Sequence, residues 1–146
     1  MSSTPQIGPH LVKLDVCLYK KEDVSHDDFM KWMQEEYNPR AVPIIKAHGV
    51  VQYSQTATPP CFREPFRNAL VNQLNRPKWT VPDYDIVITY WLHDLDLMEG
   101  LRNDPKWVEL EEEALKWANM TLGHVVIGRE NILFAAEGTG EAKESK

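Results

Sequence analysis

The sequence has no apolar run approaching the roughly 18 residues that a membrane-spanning helix needs, and its first ten residues lack the basic and apolar regions of a signal peptide. It is also poor in cysteine. Cys17 and Cys61 are the only two, too few for a disulfide framework and without the spacing of metal ligands. We therefore expect a cytoplasmic protein that does not bind a membrane.

Motifs for phosphate, metal and nucleophilic chemistry are missing as well. No segment matches a Walker loop, a dinucleotide-binding loop or the zinc pattern H-E-x-x-H, and none matches the nucleophile elbow G-x-S-x-G. The chain has 16 basic and 22 acidic residues, a net charge of −6, which argues against nucleic acid as a partner. We expect acid–base chemistry without a metal or another cofactor.

What the sequence does have is enough apolar material for one domain. Hydrophobic residues make up 42% of its 146 residues, which is typical of a globular chain long enough to bury a core. Residues 1–10 and 137–146 have little to bury. We predict that they are disordered tails on either side of a domain that spans 11–136.

The spacing of the apolar residues changes several times along this domain. It predicts strands at 11–19, 48–56, 84–91 and 124–136, and helices at 25–39 and 105–119 that begin after Ser25 and Asp104. Residues 57–82 contain five prolines and are interpreted as an irregular lid or binding loop with a short helix near 66–74. The order β-α-β-β-α-β predicts an α+β, ferredoxin-like fold.

A sheet of this kind carries both helices on one face and leaves its other face bare. The aliphatic side of the first strand suits the helix face. A bare face with apolar content needs a partner, and a second sheet from another copy is the common solution. We therefore predict a homodimer, a dimeric α/β barrel in which two sheets enclose a pocket.

Charged and polar side chains are predicted to meet on that bare face, namely those of Lys13, Asp15, Asp85, Thr89 and His124. Isolated buried charges are costly, so a cluster of mixed sign with a histidine indicates a site. Each member also has an ordinary structural reading, as part of a solvated strand, a cap or a structural hydrogen bond. With His48 added, the cluster contains two histidines and two carboxylates, and a metal site is the less favoured alternative.

Two stretches resemble the EthD domain family. The run LVKLDVCLYKKEDVSHDDFMKWMQEEYNPRAVPIIKAHGVVQYSQT is similar to the first half of such a domain, and DYDIVITYWLHDLDLMEGLRNDPKWVELEEE to the second. The resemblance covers roughly residues 11–136 and implies the fold of the dimeric α/β barrels. Many members have His-x-Pro-Leu after the first helix. Here that stretch is Asn38–Pro39–Arg40–Ala41, so a role for that histidine is not available.

The resemblance implies a lyase of fungal aromatic polyketide biosynthesis that decarboxylates or dehydrates an intermediate. On this hypothesis His124 is the acid and base, Asp85 or Asp15 orients it, and His48 or Tyr53 supplies a second acid. The other predicted contacts to a flat polyketide substrate are Lys13, Thr89, Phe62, Phe66 and Trp79.

Two further functional classes stay open at this point. The chain is alternatively a cofactor-independent anthrone oxygenase or a polyketide cyclase, and oxygen uptake with an anthrone would reveal the oxygenase. The other alternative is a ligand-binding dimer without catalysis, which would show no turnover and no effect of pocket substitutions.

Overall fold

The computed structural model describes residues 11–137, in which four antiparallel strands form one sheet in the order β2-β3-β1-β4. The elements are β1 (Val12–Lys20), α1 (His26–Trp32), a π-helical turn (Met33–Tyr37), α2 (Asn38–Ala47), β2 (Gln52–Ala57), α3 (Pro60–Asn72), β3 (Ile86–Leu92), α4 (Leu97–Arg102), α5 (Pro105–Ala114) and β4 (Ala118–Arg129). The predicted α+β, ferredoxin-like fold is confirmed. The predicted tails lie outside the described residues, apart from Glu137.

The two predicted helix starts are capped as the sequence indicates. The backbone N–H of Asp28 donates to Ser25 Oγ at 3.0 Å, which satisfies one of the N–H groups that a helix start leaves without a partner. At α5 the N–H of Lys106 donates to Asp104 Oδ1 at 2.9 Å. Pro105 occupies the first helical position, where its missing N–H has no cost.

The first helical segment, which the sequence predicts to end or kink near Pro39, continues past this proline to Ala47. A proline at this position has no N–H to donate, and its ring collides with the carbonyl four residues earlier. The helix widens here into the π turn, in which the N–H of Asn38 donates to the carbonyl of Met33. Gly49, with φ +89°, follows the helix in the left-handed conformation that commonly ends one.

Other predicted boundaries are wrong in the second half of the chain. The supposed irregular loop contains α3, a helix of 13 residues that has Pro60 in its first turn. β2 begins at Gln52 rather than 48, and α5 ends at Ala114 rather than 119. β4 spans Ala118–Arg129 rather than 124–136, because Arg129 lies opposite Val12, the first residue of β1.

The two faces of the sheet differ as predicted. Leu14, Ile86, Ile88 and Tyr90 belong to the core under α1, α2 and α5. The opposite side, here called the open face, carries Lys13, Asp15, Cys17, Tyr19, Val87, Thr89, Trp91, His124 and Val126. Within residues 11–137, no helix is long and apolar enough to cross a membrane.

Candidate functional site

Two of the residues predicted to form a site meet on the open face. Thr89 Oγ1 donates a hydrogen bond to Asp15 Oδ1 at 2.6 Å, across the β1–β3 pair. Lys13, two residues away on β1, forms a 3.4 Å ion pair with Glu130 and lies 5.6 Å from the ring centre of Trp91. The carboxylate of Asp15 and the ammonium of Lys13 are therefore both engaged by neighbouring side chains.

His124 lies on the same face, opposite Cys17 on β1. Its ring makes edge contacts with Tyr84 and Tyr19, with centroids 5.3 and 6.2 Å apart. Burial, and then the charge of Asp15, raise the pKa of the Cys17 thiol. His124 is exposed in the single chain, so this part of the face is open to a partner or a ligand.

Asp85 does not orient His124 as predicted, because its carboxylate is turned towards the start of α1. Its Oδ1 lies 2.8 Å from His26 Nδ1, and its Oδ2 accepts from the N–H of Lys20 at 3.0 Å. Arg63 of α3 approaches the same carboxylate at 3.7 Å. Asp85 is only 4% exposed, so this network joins β1, α1 and α3 in the interior.

His48 also lies away from the open face. It follows α2, and its Nε2 is 2.7 Å from Asp104 Oδ2 at the start of α5. This hydrogen bond lowers the pKa of the Asp104 carboxyl. His48 thus links the end of α2 to the start of α5, and this role in the fold accounts for a histidine at this position.

Tyr53 lies on the helix side of the sheet rather than on the open face, because it pairs with Tyr90 of β3. The two ring centres are 5.2 Å apart. Burial raises the pKa of Tyr53 to about 12, although a hydrogen bond with Gln55 opposes the shift. Its hydroxyl is therefore protonated at neutral pH.

The predicted aromatic contacts of residues 57–82 surround a different cavity, here called the α3 pocket. It has a volume of about 790 Å³ and includes Phe62, Phe66 and Tyr84 in its wall. Trp79 is 65% exposed and does not line this pocket. The guanidinium carbon of Arg76 lies 5.2 Å from its ring centre. Tyr84 connects the α3 pocket to His124 through the ring contact described above.

A second group of titratable side chains, which the sequence did not predict as a site, lies between the sheet and the helices. Tyr37, Tyr90 and Glu111 line a small enclosed cavity of about 80 Å³, here called the helix-side cavity. The rest of its wall is formed by Val16, Leu18, Trp32, Met33, Ile88, Ala114, Ala118 and Met120. This wall is almost wholly apolar, so the three polar groups converge in a site of low polarity.

The surroundings of this cavity change the ionisation of each group. Burial raises the pKa of the Glu111 carboxyl, although a hydrogen bond with Trp107 opposes the shift. Burial also raises the pKa of Tyr37 and Tyr90 well above the ordinary value of a phenol, with neighbouring tyrosines adding to it. Tyr37 and Tyr90 are thus hydrogen-bond donors, and Glu111 is suited to exchange a proton.

The π turn brings Tyr37 to this cavity. It places Trp32 and Tyr37, five residues apart, with ring centres at 5.3 Å, and Trp32 stacks on Trp117 at 5.4 Å. Single π turns within helices occur frequently at functional sites. The sequence signal for this site was Pro39 within a helical pattern, together with one glutamate on the apolar side of α5.

The helix-side cavity adjoins two surface grooves along α5 and β4. A groove of about 370 Å³ shares Glu111 and Met120 with it, and another of about 560 Å³ shares Ala118 and Met120. Met120 therefore separates the enclosed part from the open parts. A methionine side chain adapts its shape readily, so Met120 is the flexible part of this wall.

Among residues 11–137, no group of three or more His, Cys, Asp or Glu side chains is placed to hold a metal ion. The hydrogen-bond donors and the carboxyl of the helix-side cavity instead suit proton transfer next to a carbonyl. The charged side chains of the open face suit the binding of an anionic or phenolic group.

Comparison with known proteins gives three further observations. A sequence model of the EthD domain matches residues 21–121. The dehydratase iacD of Pestalotiopsis fici is 26% identical over 129 residues, which cover 88% of this chain and 91% of that protein.

Solved structures share the fold at low sequence identity. An ethyl tert-butyl ether D family protein from Bacillus halodurans superposes with a TM-score of 0.52 at 16% identity, over 82% of this chain and 98% of that one. A dimeric protein of unknown function with a ferredoxin-like fold, from Bacteroides fragilis, gives 0.53 at 14% identity, over 82% and 96%.

Proposed function

The chain belongs to the EthD domain family, and on that premise we propose that it is a lyase of the dehydratase type acting on hydroxylated aromatic polyketides. The similarity to a fungal dehydratase over most of both chains supports loss of water as the reaction. Elimination of water changes no oxidation state overall, and acid–base groups are sufficient for it.

The observation that carries this proposal is the helix-side cavity. Glu111 has a raised pKa there, next to two tyrosines that stay protonated. In the proposed reaction the Glu111 carboxylate removes the proton next to a carbonyl, and Tyr37 and Tyr90 donate hydrogen bonds to the developing enolate oxygen. The C–O bond then breaks, a carbon–carbon double bond forms, and the hydroxyl leaves as water with the proton from Glu111.

The open face supplies a second candidate site for the same reaction. Here His124 is the proton donor and acceptor, and Lys13, Asp15 and Thr89 contact the substrate. Supporting it are the bonded Asp15–Thr89 pair and the exposure of His124 beside Tyr84. This site is open on one side, because His124 is exposed in the single chain whereas Asp15 is half-buried and Thr89 is buried.

We propose that a second copy of the chain covers this open side. On the open face Val126 of β4 is 59% exposed, and the exposed His124 lies beside it on the same strand; exposed apolar surface next to a candidate site is typical of an interaction surface. The similar Bacteroides fragilis protein is dimeric. The proposed assembly is a homodimer whose two open faces pack against each other.

Substitutions on opposite sides of the sheet distinguish the two candidate sites. Purified protein is incubated with aromatic polyketides that carry a hydroxyl next to an enolisable ketone, and loss of 18 Da is followed by mass spectrometry. Glu111→Gln is expected to lower turnover about 10²–10⁴-fold, and Tyr37→Phe about 10²-fold or more. Glu109→Gln, an exposed residue of α5 outside the two surface grooves, is the control.

His124→Ala is expected to retain turnover within a few-fold of the unchanged protein. If it abolishes turnover while Glu111→Gln does not, the open face is the catalytic site. Loss of 44 Da instead of 18 Da would identify decarboxylation, and no mass change with any substrate of the panel would contradict the proposed lyase.

A further inference from the structure

The segment after β4, residues 131–136 and here called the arm, exposes most of its apolar side chains. Leu133 is 86% exposed, Phe134 is 84% exposed and Ile132 is 43% exposed. The side chain of Glu130, just before the arm, accepts from Trp91 Nε1 at 3.0 Å and pairs with Lys13. The arm thus begins beside the open face, and burial of its exposed Leu133 and Phe134 would be favourable.

The α3 pocket has the complementary character. Its wall includes Cys61, Phe62, Phe66 and Pro82, and Phe62 and Phe66 are 71% and 53% exposed at its rim. Its charged wall residue, Arg63, is already paired with Asp83 and Asp85. The arm carries no charged side chain between Glu130 and Glu137, so an apolar pocket of about 790 Å³ suits it.

Within one chain the arm does not reach this pocket. β4 and β2 are opposite edges of the sheet, about 14 Å apart at the usual strand spacing. Arg129 is level with Leu92 at one end of β3, whereas Ala57 of the pocket is level with Ile86 at the other end. That difference is about 20 Å along the strand, and four residues of arm span at most about 14 Å.

The arm and the pocket therefore lie at diagonally opposite corners of one sheet. A two-fold axis along the other diagonal of the sheet places the arm of each copy over the α3 pocket of the other. The two sheets then cross nearly at right angles, which is one of the two common ways in which sheets pack. Such an interface is isologous, so that both arms make the same contact. We propose that Leu133 and Phe134 of each copy insert into the α3 pocket of the other.

This proposal rests on the homodimer proposed above, and the native Cys61 allows a direct test. Cys61 lies in the pocket wall and is exposed. Leu133→Cys and Phe134→Cys are each oxidised under mild conditions, and the products are separated on a non-reducing gel. The expected product is a disulfide-linked dimer for at least one of them, and it disappears when Cys61→Ser is added.

Val108→Cys is the matched control, since Val108 is 44% exposed on α5 and lies on the helix layer. It is expected to give no cross-linked dimer at the same protein concentration. Equal cross-linking by Val108→Cys, or a disulfide formed within one chain, would overturn the arm contact.

Light scattering on the unmodified protein tests the homodimer separately from the insertion of the arm. A dimer that gives no cross-link at either arm position overturns the arm contact and leaves the homodimer in place. A monomer at micromolar concentration overturns both. As a second measurement, Phe134→Asp is expected to weaken dimerisation at least tenfold, and an unchanged dissociation constant would contradict insertion.

Discussion

The carboxylate of Asp85 is approached by three groups from different elements. His26 of α1, the backbone of Lys20 and Arg63 of α3 all approach it, and the residue is almost completely buried. A charge in such a position is tolerated only because it is paired. The role of Asp85 that this geometry supports is to fix α1 and α3 to the sheet.

Replacing Asp85 by Asn is therefore expected to destabilise the fold. Removing one partner of a buried ion pair costs about 3 kcal/mol, and Arg63 would keep only its contact with Asp83. Urea unfolding measures the change. Asp83→Asn, at a side chain that is 66% exposed, is the control and is expected to cost less than about 1 kcal/mol. A stable Asp85→Asn protein that has lost turnover would show a catalytic role instead.

Glu111 gives a prediction for the dependence of stability on pH. Burial raises the pKa of its carboxyl in the folded protein, whereas in the unfolded chain the carboxyl ionises near its ordinary value of about 4.3. Between these two values the folded state binds more protons, so this group lowers stability as the pH rises through the interval.

Glu111→Gln removes this contribution. Thermal unfolding is measured between pH 4 and 8. The melting temperature of Glu111→Gln minus that of the unchanged protein is expected to increase as the pH rises. The exposed substitution Glu112→Gln is the control for loss of one charge from α5. An identical dependence on pH in the two variants would contradict the raised pKa of Glu111.

Among the elements, α3 is the one most separate from the core. Leu70 is the one buried aliphatic side chain of α3 in the described structure. After α3 the chain turns back, and the backbone N–H of Arg76 donates to the carbonyl of Leu70 at 2.6 Å. Segments with few buried apolar contacts open locally at low free-energy cost. Residues 60–82 are thus expected to open without unfolding the sheet.

Leu70→Ala tests this independence. Limited proteolysis is expected to cut residues 73–79 faster in the variant, because the helix end loses its buried anchor. The melting temperature of the whole protein is expected to change little. Leu110→Ala, in the core under the sheet, is the contrasting variant and is expected to cost about 2–5 kcal/mol of global stability. A matching global loss in Leu70→Ala would show that α3 belongs to the core unit.

The features of this fold that depend on local contacts are the ones that its sequence predicts. Alternation along β1 and β3 predicted the two faces correctly, and Ser25 and Asp104 predicted both helix starts, because those signals act within a few residues. The pairing of Asp85 with His26 depends on α1 crossing the end of β3, which no local pattern encodes. Tyr37 was missed because its position depends on the extra residue of the π turn.

At the scale of the whole molecule, the open face is exposed mainly along β4, where His124 and Val126 lie, whereas Cys17 and Thr89 on the neighbouring strands are buried. Val126 and Val125 are neighbours on β4 with nearly equal exposure, 59% and 61%. Val126 lies opposite Asp15 on the open face, and Val125 lies opposite Val16 on the helix side. The two positions thus form a matched pair for the proposed dimer.

Val126→Glu is expected to give a monomer, because it introduces a charge into an apolar interface without a partner. Val125→Glu is expected to remain dimeric, since its side chain points to the helix side. Light scattering at micromolar concentration distinguishes the two outcomes. Dissociation by Val125→Glu with an intact Val126→Glu dimer would place the interface on the other side of the sheet.

The position of β4 at the edge of the sheet has a consequence for handling the protein. Its residues 118–127 contain no proline and no lysine, arginine or acidic side chain, and Val125, Val126 and Ile127 are half exposed or more. An uncharged edge strand of this kind is a template for intermolecular strand addition and fibril growth. Single chains formed when the proposed dimer dissociates are then the aggregating species, so loss of material is expected to rise with dissociation, and Val125→Lys is expected to slow it.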